Sequence, residues 1–151
     1  MRYVVDANVP TVASGRESHA DVHAQLRAAR FLYNVMRTGV VLEDEEDLAF
    51  AEYRRYLHFS GQPSMGDEFF AWFVRERWSG VLVQRVPRPA GGSILDALPR
   101  SLSGFDSDDH KWICIYIRGS ADYIVNAVDS DWEQSRAALV AEGVRVLELL
   151  A

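Results

Sequence analysis

The stretch from residue 105 to residue 132 constrains the fold most, because it places aspartates at the ends of two apolar segments. The first segment, residues 112–117, predicts a buried helix that follows an acidic cluster. The second, residues 123–128, predicts a buried strand that ends in acids. Buried carboxylates destabilise a fold unless a cation neutralises them, so the stretch predicts a metal site. The acids are Asp106, Asp108, Asp109, Asp129 and Asp131.

The N-terminus repeats this arrangement on a smaller scale. Residues 2–5 predict a short apolar strand that ends at Asp6, and residues 7–10, which include Asn8 and Pro10, break it. In open α/β sheets, ligands bind at the carboxyl ends of the strands. A turn stabilised by Asp6 and Asn8 is the alternative interpretation, because both residue types favour turns.

Helical periodicity runs from residue 19 to residue 36, with a possible N-cap at Ser18 and a stop at Thr38-Gly39. His19 and His23 lie four residues apart and would share a helix face. Two histidines at that spacing can bind zinc, but no further ligand is evident nearby. A surface or substrate-side role is the preferred interpretation of this pair.

The next unit predicts a strand at residues 40–42, an acidic run at residues 43–47, and a helix with the pattern LAFAEYRRYLHF. Acids suit a first helical turn, so we expect the run to be a helix start on a solvated surface. Glu52 differs because it lies mid-helix among apolar neighbours. It is either functional or an exposed residue beside Arg55 and Tyr56.

Later segments complete an alternating pattern. A helix over residues 66–78 is dense in aromatics and is expected to pack in the core; an exposed part could stack on nucleobases or contact a partner. Residues 80–86 predict a strand or an extended segment, and residues 85–92 a loop. Arg85 and Arg88 in this loop, and then Arg100, supply positive charge suited to guiding phosphates. Residues 93–98 predict a short helical turn, residues 131–142 a helix and residues 144–149 a last strand.

Strands alternating with helices predict an α/β fold, a three-layer α/β/α sandwich around a mainly parallel sheet, formed by residues 1–151 as one domain. If the strands before Asp6 and Asp129 are neighbours, these two acids converge. The helix that starts near Ser107 then directs Asp109 towards the same place.

Composition narrows the function classes. The formal net charge of −6 argues against a general nucleic-acid coating protein, although it leaves a nuclease possible because site carboxylates contribute to the charge. The lone cysteine, Cys114, lies in an apolar run and favours a reducing cytoplasm and a buried structural role. No apolar run is long enough to span a membrane, and the N-terminus lacks the pattern of a signal peptide.

Four separated segments supply the acids Asp6, Glu52, Asp109 and Asp129. Clustered carboxylates repel one another unless a hard cation such as Mg²⁺ or Mn²⁺ binds among them. A bound cation of this kind activates water for attack on phosphorus. We find no Ser-His-Asp or Cys-His nucleophile set and no phosphate-binding glycine loop.

Four motifs, YVVDANVP, LAFAEYRRYL, FDSDDHKWICIYI and IVNAVDSDW, follow one another in an order that resembles the PIN-domain ribonucleases. The resemblance covers nearly the whole chain. It implies an α/β/α sandwich that uses Mg²⁺ or Mn²⁺ to hydrolyse single-stranded RNA. It further implies metal ligation by Asp6, Asp109 and Asp129, with Glu52 as another catalytic acid.

Auxiliary residues implied by the resemblance are Asn8, Asp106 and Asp131. Ala127-Val128 stands where the family often has Thr-x-Asp, so a hydroxyl is missing. The resemblance also implies a possible role as the toxin of a toxin–antitoxin module, an antitoxin partner and a homodimer. The alternatives are a non-catalytic nucleic-acid- or protein-binding module on the same fold, and a phosphatase or receiver-like protein, which Asp6-Ala-Asn8 and the lone Lys111 fit poorly.

Overall fold

A computed structural model describes residues 1–17 and 20–150, and over these residues the chain alternates strands with helices. The five strands are β1 (Arg2–Val5), β2 (Val40–Asp44), β3 (Val83–Val86), β4 (Tyr123–Asn126) and β5 (Val146–Glu148). The helices are α1 (Asn8–Ala13), α2 (Val22–Thr38), α3 (Leu48–Tyr56), α4 (Met65–Glu76), α5 (His110–Gly119), α6 (Ser130–Gln134) and α7 (Arg136–Ala141). Short 3₁₀ turns lie at Ile94–Ala97, Arg100–Leu102 and Ser107–Asp109.

All strand pairs are parallel, in the order β3-β2-β1-β4-β5. The predicted α/β/α sandwich is therefore confirmed. The central strand β1 pairs with β4 in a register that sets Val5 opposite Val125. Because the two strands run in the same direction, the residues that follow them emerge at the same edge of the sheet. The condition set for the convergence of Asp6 and Asp129 is met.

The core combines apolar strands with an aromatic helix. Val4, Val5, Ile124 and Val125 have no solvent exposure. On α4, Phe69, Phe70, Trp72 and Phe73 are buried, and the Tyr53 ring of α3 packs edge-on against Phe69 and Phe73. Each fully buried side chain of this size contributes about 1.5–3 kcal/mol. Core packing of the aromatic helix and burial of Cys114 are both confirmed, whereas Trp78, beyond the end of α4, is exposed.

The prediction of a solvated helix start is correct for residues 45–47, which are exposed or half-buried and precede α3, but wrong for Glu43 and Asp44. Strand β2 continues through Glu43 and Asp44, and both residues are fully buried. The Asp44 carboxylate accepts hydrogen bonds from the backbone N–H groups of Leu48 and Ala49, so it binds the first turn of α3. Glu43 forms a salt bridge with Arg77, the residue that follows α4. A guanidinium nitrogen of Arg77 lies 2.8 Å from a carboxylate oxygen of Glu43.

Other boundaries also differ from prediction. Helix α1 occupies the segment predicted as a break. Helix α2 begins at Val22, and its N-cap is Asp21, whose side chain accepts from the N–H of Ala24 at 2.8 Å. The proposed cap Ser18 and the residue His19 of the histidine pair lie outside the described residues. Two helices, α6 and α7, replace the single helix predicted at residues 131–142.

Two remaining points concern β3 and the length of the helices. The strand predicted within residues 80–86 is confirmed as β3, which includes Arg85, so the loop begins after Val86 and not at Arg85. No helix in the described part of the chain is long and apolar enough to cross a membrane.

Candidate metal centre

An acidic cavity of about 290 Å³ lies at the carboxyl edge of the sheet. Asp6 follows β1, Asp129 follows β4, Asp109 precedes α5, and Glu52 comes from the middle of α3. All four predicted catalytic acids line this one cavity, together with Asn8, Asp106 and Asp108. The structure thus brings together residues that are up to 123 positions apart in sequence.

Three of these acids are close enough to share one ion. Asp6, Asp109 and Asp129 each offer a carboxylate oxygen, and the three oxygens lie within 4.8 Å of one another. Asp109 also belongs to a second such group with Asp106 and Asp131, nearer to solvent. Carboxylate oxygens are the ligands that Mg²⁺ and Mn²⁺ prefer. We call Asp6, Asp109 and Asp129 the aspartate trio.

Asp6 is held rigidly by neighbours. One carboxylate oxygen accepts from the backbone N–H of Asn8 at 3.0 Å, and the other accepts from the indole N–H of Trp132 at 2.9 Å. Trp132 is buried against Phe105, with ring centroids 4.8 Å apart. Desolvation raises the pKa of Asp6 to about 7, although both hydrogen bonds oppose the shift. The carboxylate is oriented before any ligand arrives.

Of the three aspartates, Asp109 has the fewest neighbours that stabilise its charged form. It closes the 3₁₀ turn at the start of α5, and its residue is only 9% exposed. Across residues 1–17 and 20–150, no group donates a hydrogen bond to its carboxylate. Desolvation, followed by repulsion from Asp6 and Asp129, raises the pKa of Asp109 to about 8. A cation bound here would remove the cause of this shift.

Asp129 reaches the cavity from a tight connection between β4 and α6. Its carboxylate caps α6 by accepting from the N–H of Asp131 at 2.9 Å. Its backbone is bound to Asn126, whose side chain accepts from the N–H of Asp129 and donates to its carbonyl oxygen. The charge of Asp129 in turn raises the pKa of Asp131.

Asn8 positions this edge of the sheet. Its side-chain oxygen accepts from the N–H of Ala127 at 2.8 Å, and its amide nitrogen donates to the Asn126 side chain at 3.0 Å. Asn126 also donates to the Glu148 carboxylate at 2.7 Å. The amides of Asn8 and Asn126 therefore join the ends of β1, β4 and β5. Asn8 was predicted as an auxiliary residue, whereas Asn126 was not, because its only signal in the sequence is a polar residue at the end of an apolar strand.

Glu52 lines the cavity but is paired with a protein cation. The ammonium of Lys111, the only lysine of the chain, lies 3.0 Å from a Glu52 carboxylate oxygen. Both side chains are mostly buried, at 13% and 15% exposure. In contrast, no salt bridge within the described residues involves a member of the aspartate trio. The protein neutralises Glu52 itself and leaves the trio without a cationic side chain.

The arginines proposed as phosphate guides lie elsewhere. None of Arg85, Arg88 and Arg100 is among the residues that line the acidic cavity. The Nε atom of Arg85 lies 3.7 Å from a carboxylate oxygen of Glu43, and the Nε atom of Arg88 lies 3.7 Å from one of Glu45. The cavity is lined instead by Arg55 and Tyr56, which the sequence analysis mentioned only as neighbours of Glu52.

Comparison with known proteins gives no assignment: no family model, curated protein or solved structure matches this chain. Fold and side-chain chemistry therefore define the class. It is a parallel α/β protein whose sheet carries a cluster of buried acids at its carboxyl edge. That edge is where open α/β sheets bind ligands.

Proposed function

We propose that this protein is a Mg²⁺- or Mn²⁺-dependent endoribonuclease of the PIN-domain type, which hydrolyses phosphodiester bonds in single-stranded RNA. The observation that carries the proposal is the aspartate trio, with oxygens within 4.8 Å of one another. Burial and mutual repulsion raise the pKa values of two of its members. Such an arrangement favours binding of a divalent cation, because the cation relieves both effects.

Asp6, Asp109 and Asp129 would hold the cation. A bound Mg²⁺ or Mn²⁺ supplies activation of water and neutralisation of charge on the leaving oxygen. Trp132 and Asn8 fix the Asp6 carboxylate, and Asn126 fixes the backbone of Asp129, so the ligand geometry is preorganised. We assign to Glu52, held 3.0 Å from Lys111, the role of orienting the attacking water by a hydrogen bond.

A cleavage assay with purified protein tests the proposal. We expect the protein to cut single-stranded RNA in Mn²⁺ or Mg²⁺ and to be inactive in a chelator. Asp6→Asn and Asp129→Asn should each reduce the rate by at least about a hundredfold, since each removes a ligand. Single-stranded DNA of the same sequence serves as a second substrate, because this chemistry can act on both.

Asp122→Asn is the matched control for the same strand. Asp122 lies at the opposite end of β4, where its carboxylate accepts from the backbone N–H of Arg2 at 2.7 Å. Asparagine can accept the same bond, so this variant should cleave like the wild type. Equal cleavage by wild type, Asp6→Asn and Asp129→Asn would refute the proposal. Absence of Mg²⁺ and Mn²⁺ binding in calorimetry would instead favour a non-catalytic binding module.

The expectations of a toxin role, an antitoxin partner, a homodimer and a cytoplasmic location stay predictions. They follow from the resemblance and from composition. Co-expression with the product of a neighbouring gene, followed by an activity assay, tests the first two.

A further inference from the structure

Two consecutive residues at the end of α3 form one wall of the acidic cavity. Arg55 and Tyr56 lie three and four positions after Glu52, so they share a side of the helix with it. Both side chains are exposed, Tyr56 at 45%. The guanidinium carbon of Arg55 lies 5.9 Å from the centre of the Tyr56 ring. The wall therefore presents a cation and an aromatic ring together at the mouth of the cavity.

Arg55 differs from the other arginines near this edge of the sheet. Arg77, Arg85 and Arg88 are each within 4.0 Å of a carboxylate. No salt bridge in the described part of the chain involves Arg55. Its main partner is the Tyr56 side chain, so no carboxylate of the described residues within 4.0 Å competes with an incoming anion for its guanidinium. Arg55 also lies beside acids that would otherwise repel a polyanion.

We propose that Arg55 and Tyr56 form the substrate-binding edge of the centre and select single-stranded RNA. Arg55 contacts a phosphate next to the scissile one, and Tyr56 stacks on an unpaired base. This inference rests on the proposed nuclease function. Arginine binds phosphate with two parallel hydrogen bonds, and aromatic side chains stack on any exposed base.

Selection of single strands follows from the stacking. A base in a duplex has both faces covered by its neighbours, so Tyr56 cannot stack on it without unstacking. A single strand offers free bases and a flexible backbone that can place one phosphate at the aspartate trio and the next at Arg55. Stacking depends little on base identity, so we expect weak sequence preference from Tyr56.

The test measures KM and kcat for a single-stranded RNA oligonucleotide, and the affinity for Mn²⁺ by calorimetry, on the same variants. Arg55→Ala and Tyr56→Ala should each raise KM roughly tenfold, the lower part of the range for a lost stacking or phosphate contact. Their affinity for Mn²⁺ should be unchanged, because neither residue is a ligand. Tyr56→Phe keeps the ring that stacks and should raise KM less than Tyr56→Ala does.

A matched control exists on α2. Arg37 lies over the Tyr33 ring at 5.1 Å, and Tyr33 is 48% exposed, but neither residue lines the acidic cavity. Arg37→Ala and Tyr33→Ala should therefore leave KM unchanged. The wild type should also bind duplex RNA of the same sequence at least about tenfold more weakly than the single strand.

Each outcome decides a separate point. An active wild type with unchanged KM in both Arg55→Ala and Tyr56→Ala overturns this inference and leaves the nuclease function intact. Equal losses in the α2 control variants, or equal affinity for duplex and single strand, also overturn it. A wild type that neither binds Mn²⁺ nor cleaves RNA contradicts the proposed function, and the inference falls with it.

Discussion

Asp67 and Asp109 are both buried aspartates, yet their surroundings shift them in opposite directions. Arg16 binds the Asp67 carboxylate with two hydrogen bonds, of 2.7 and 2.6 Å, and lowers its pKa to about 2. Asp109 takes part in no salt bridge within the described residues, and desolvation followed by repulsion from neighbouring acids raises its pKa to about 8. Among residues 1–17 and 20–150, Arg16 pairs with the first aspartate and no cationic side chain pairs with the second. A buried carboxylate that lacks a protein cation therefore favours binding of a metal ion, whereas one that is paired with an arginine does not.

The stability of the metal-free protein should show the largest effect of this difference. Folded-state pKa values of about 7 for Asp6 and about 8 for Asp109 exceed the ordinary value of 3.8. The folded state thus binds more protons than the unfolded state between pH 4 and pH 8, and stability falls as pH rises through this window. A change in the pKa of Asp6 from 3.8 to about 7 alone corresponds to about 4 kcal/mol, so we expect a loss of at least this size.

Urea denaturation in a chelator at a series of pH values measures this slope. Asp109→Asn should flatten it, because the amide does not titrate. Added Mn²⁺ should raise stability most at the alkaline end, where the trio is ionised. A metal-free protein whose stability is constant from pH 5 to pH 8 would contradict the assigned pKa shifts.

Removal of the Arg16 guanidinium should leave Asp67, like the members of the aspartate trio, as a buried carboxylate without a protein cation. Arg16→Met leaves the buried Asp67 carboxylate without its cation and should destabilise the protein by about 2–3 kcal/mol. The loss is below that of a fully buried pair because the Arg16 side chain is 36% exposed. Arg75→Met, which breaks an exposed pair with Glu76, is the control and should cost less than about 1 kcal/mol.

Thermal or urea unfolding at neutral pH gives both values. Equal destabilisation by the two arginine variants would show that the Arg16–Asp67 pair contributes no more than a surface ion pair.

The smallest effect should appear in acid. A folded-state pKa lowered to about 2 means that Asp67 contributes stability above pH 4, and that this contribution is lost as pH falls towards 2. The loss should be roughly 1–2 kcal/mol. Acid titration of Asp67→Asn should lack this component and keep the slope between pH 5 and pH 8. An unchanged acid slope in the variant would assign the loss to other carboxylates.

Local patterns were sufficient to predict the parallel sheet and the positions of Asp6, Asp109 and Asp129 at the ends of its elements, whereas the resemblance to the PIN-domain ribonucleases grouped Glu52 with them. Apolar runs that end in Asp6 and Asp129 indicate strands, and the acidic residues before the apolar run at residue 112 indicate a helix start. The adjacency of β1 and β4 was a condition and not a prediction, and the observed strand order meets it. Each apolar run is adjacent in sequence to the acids at its end, so a local pattern is enough to reveal both.

Features stabilised by distant partners escaped prediction. Glu43 extends β2 into the interior only because Arg77, 34 residues later, pairs with it. Helix α1 is too short to be stable alone and forms because α2 and α4 pack against it. Arg55 could be recognised as a wall of the cavity only once the coordinates placed α3 beside the trio.

The most direct test of the metal centre is a crystal structure of the protein grown with Mn²⁺, with anomalous diffraction recorded to locate the ion. The account predicts an anomalous peak among the carboxylates of Asp6, Asp109 and Asp129, and loss of that peak in Asp109→Asn. Crystals at saturating Mn²⁺ with no peak at the trio would contradict it.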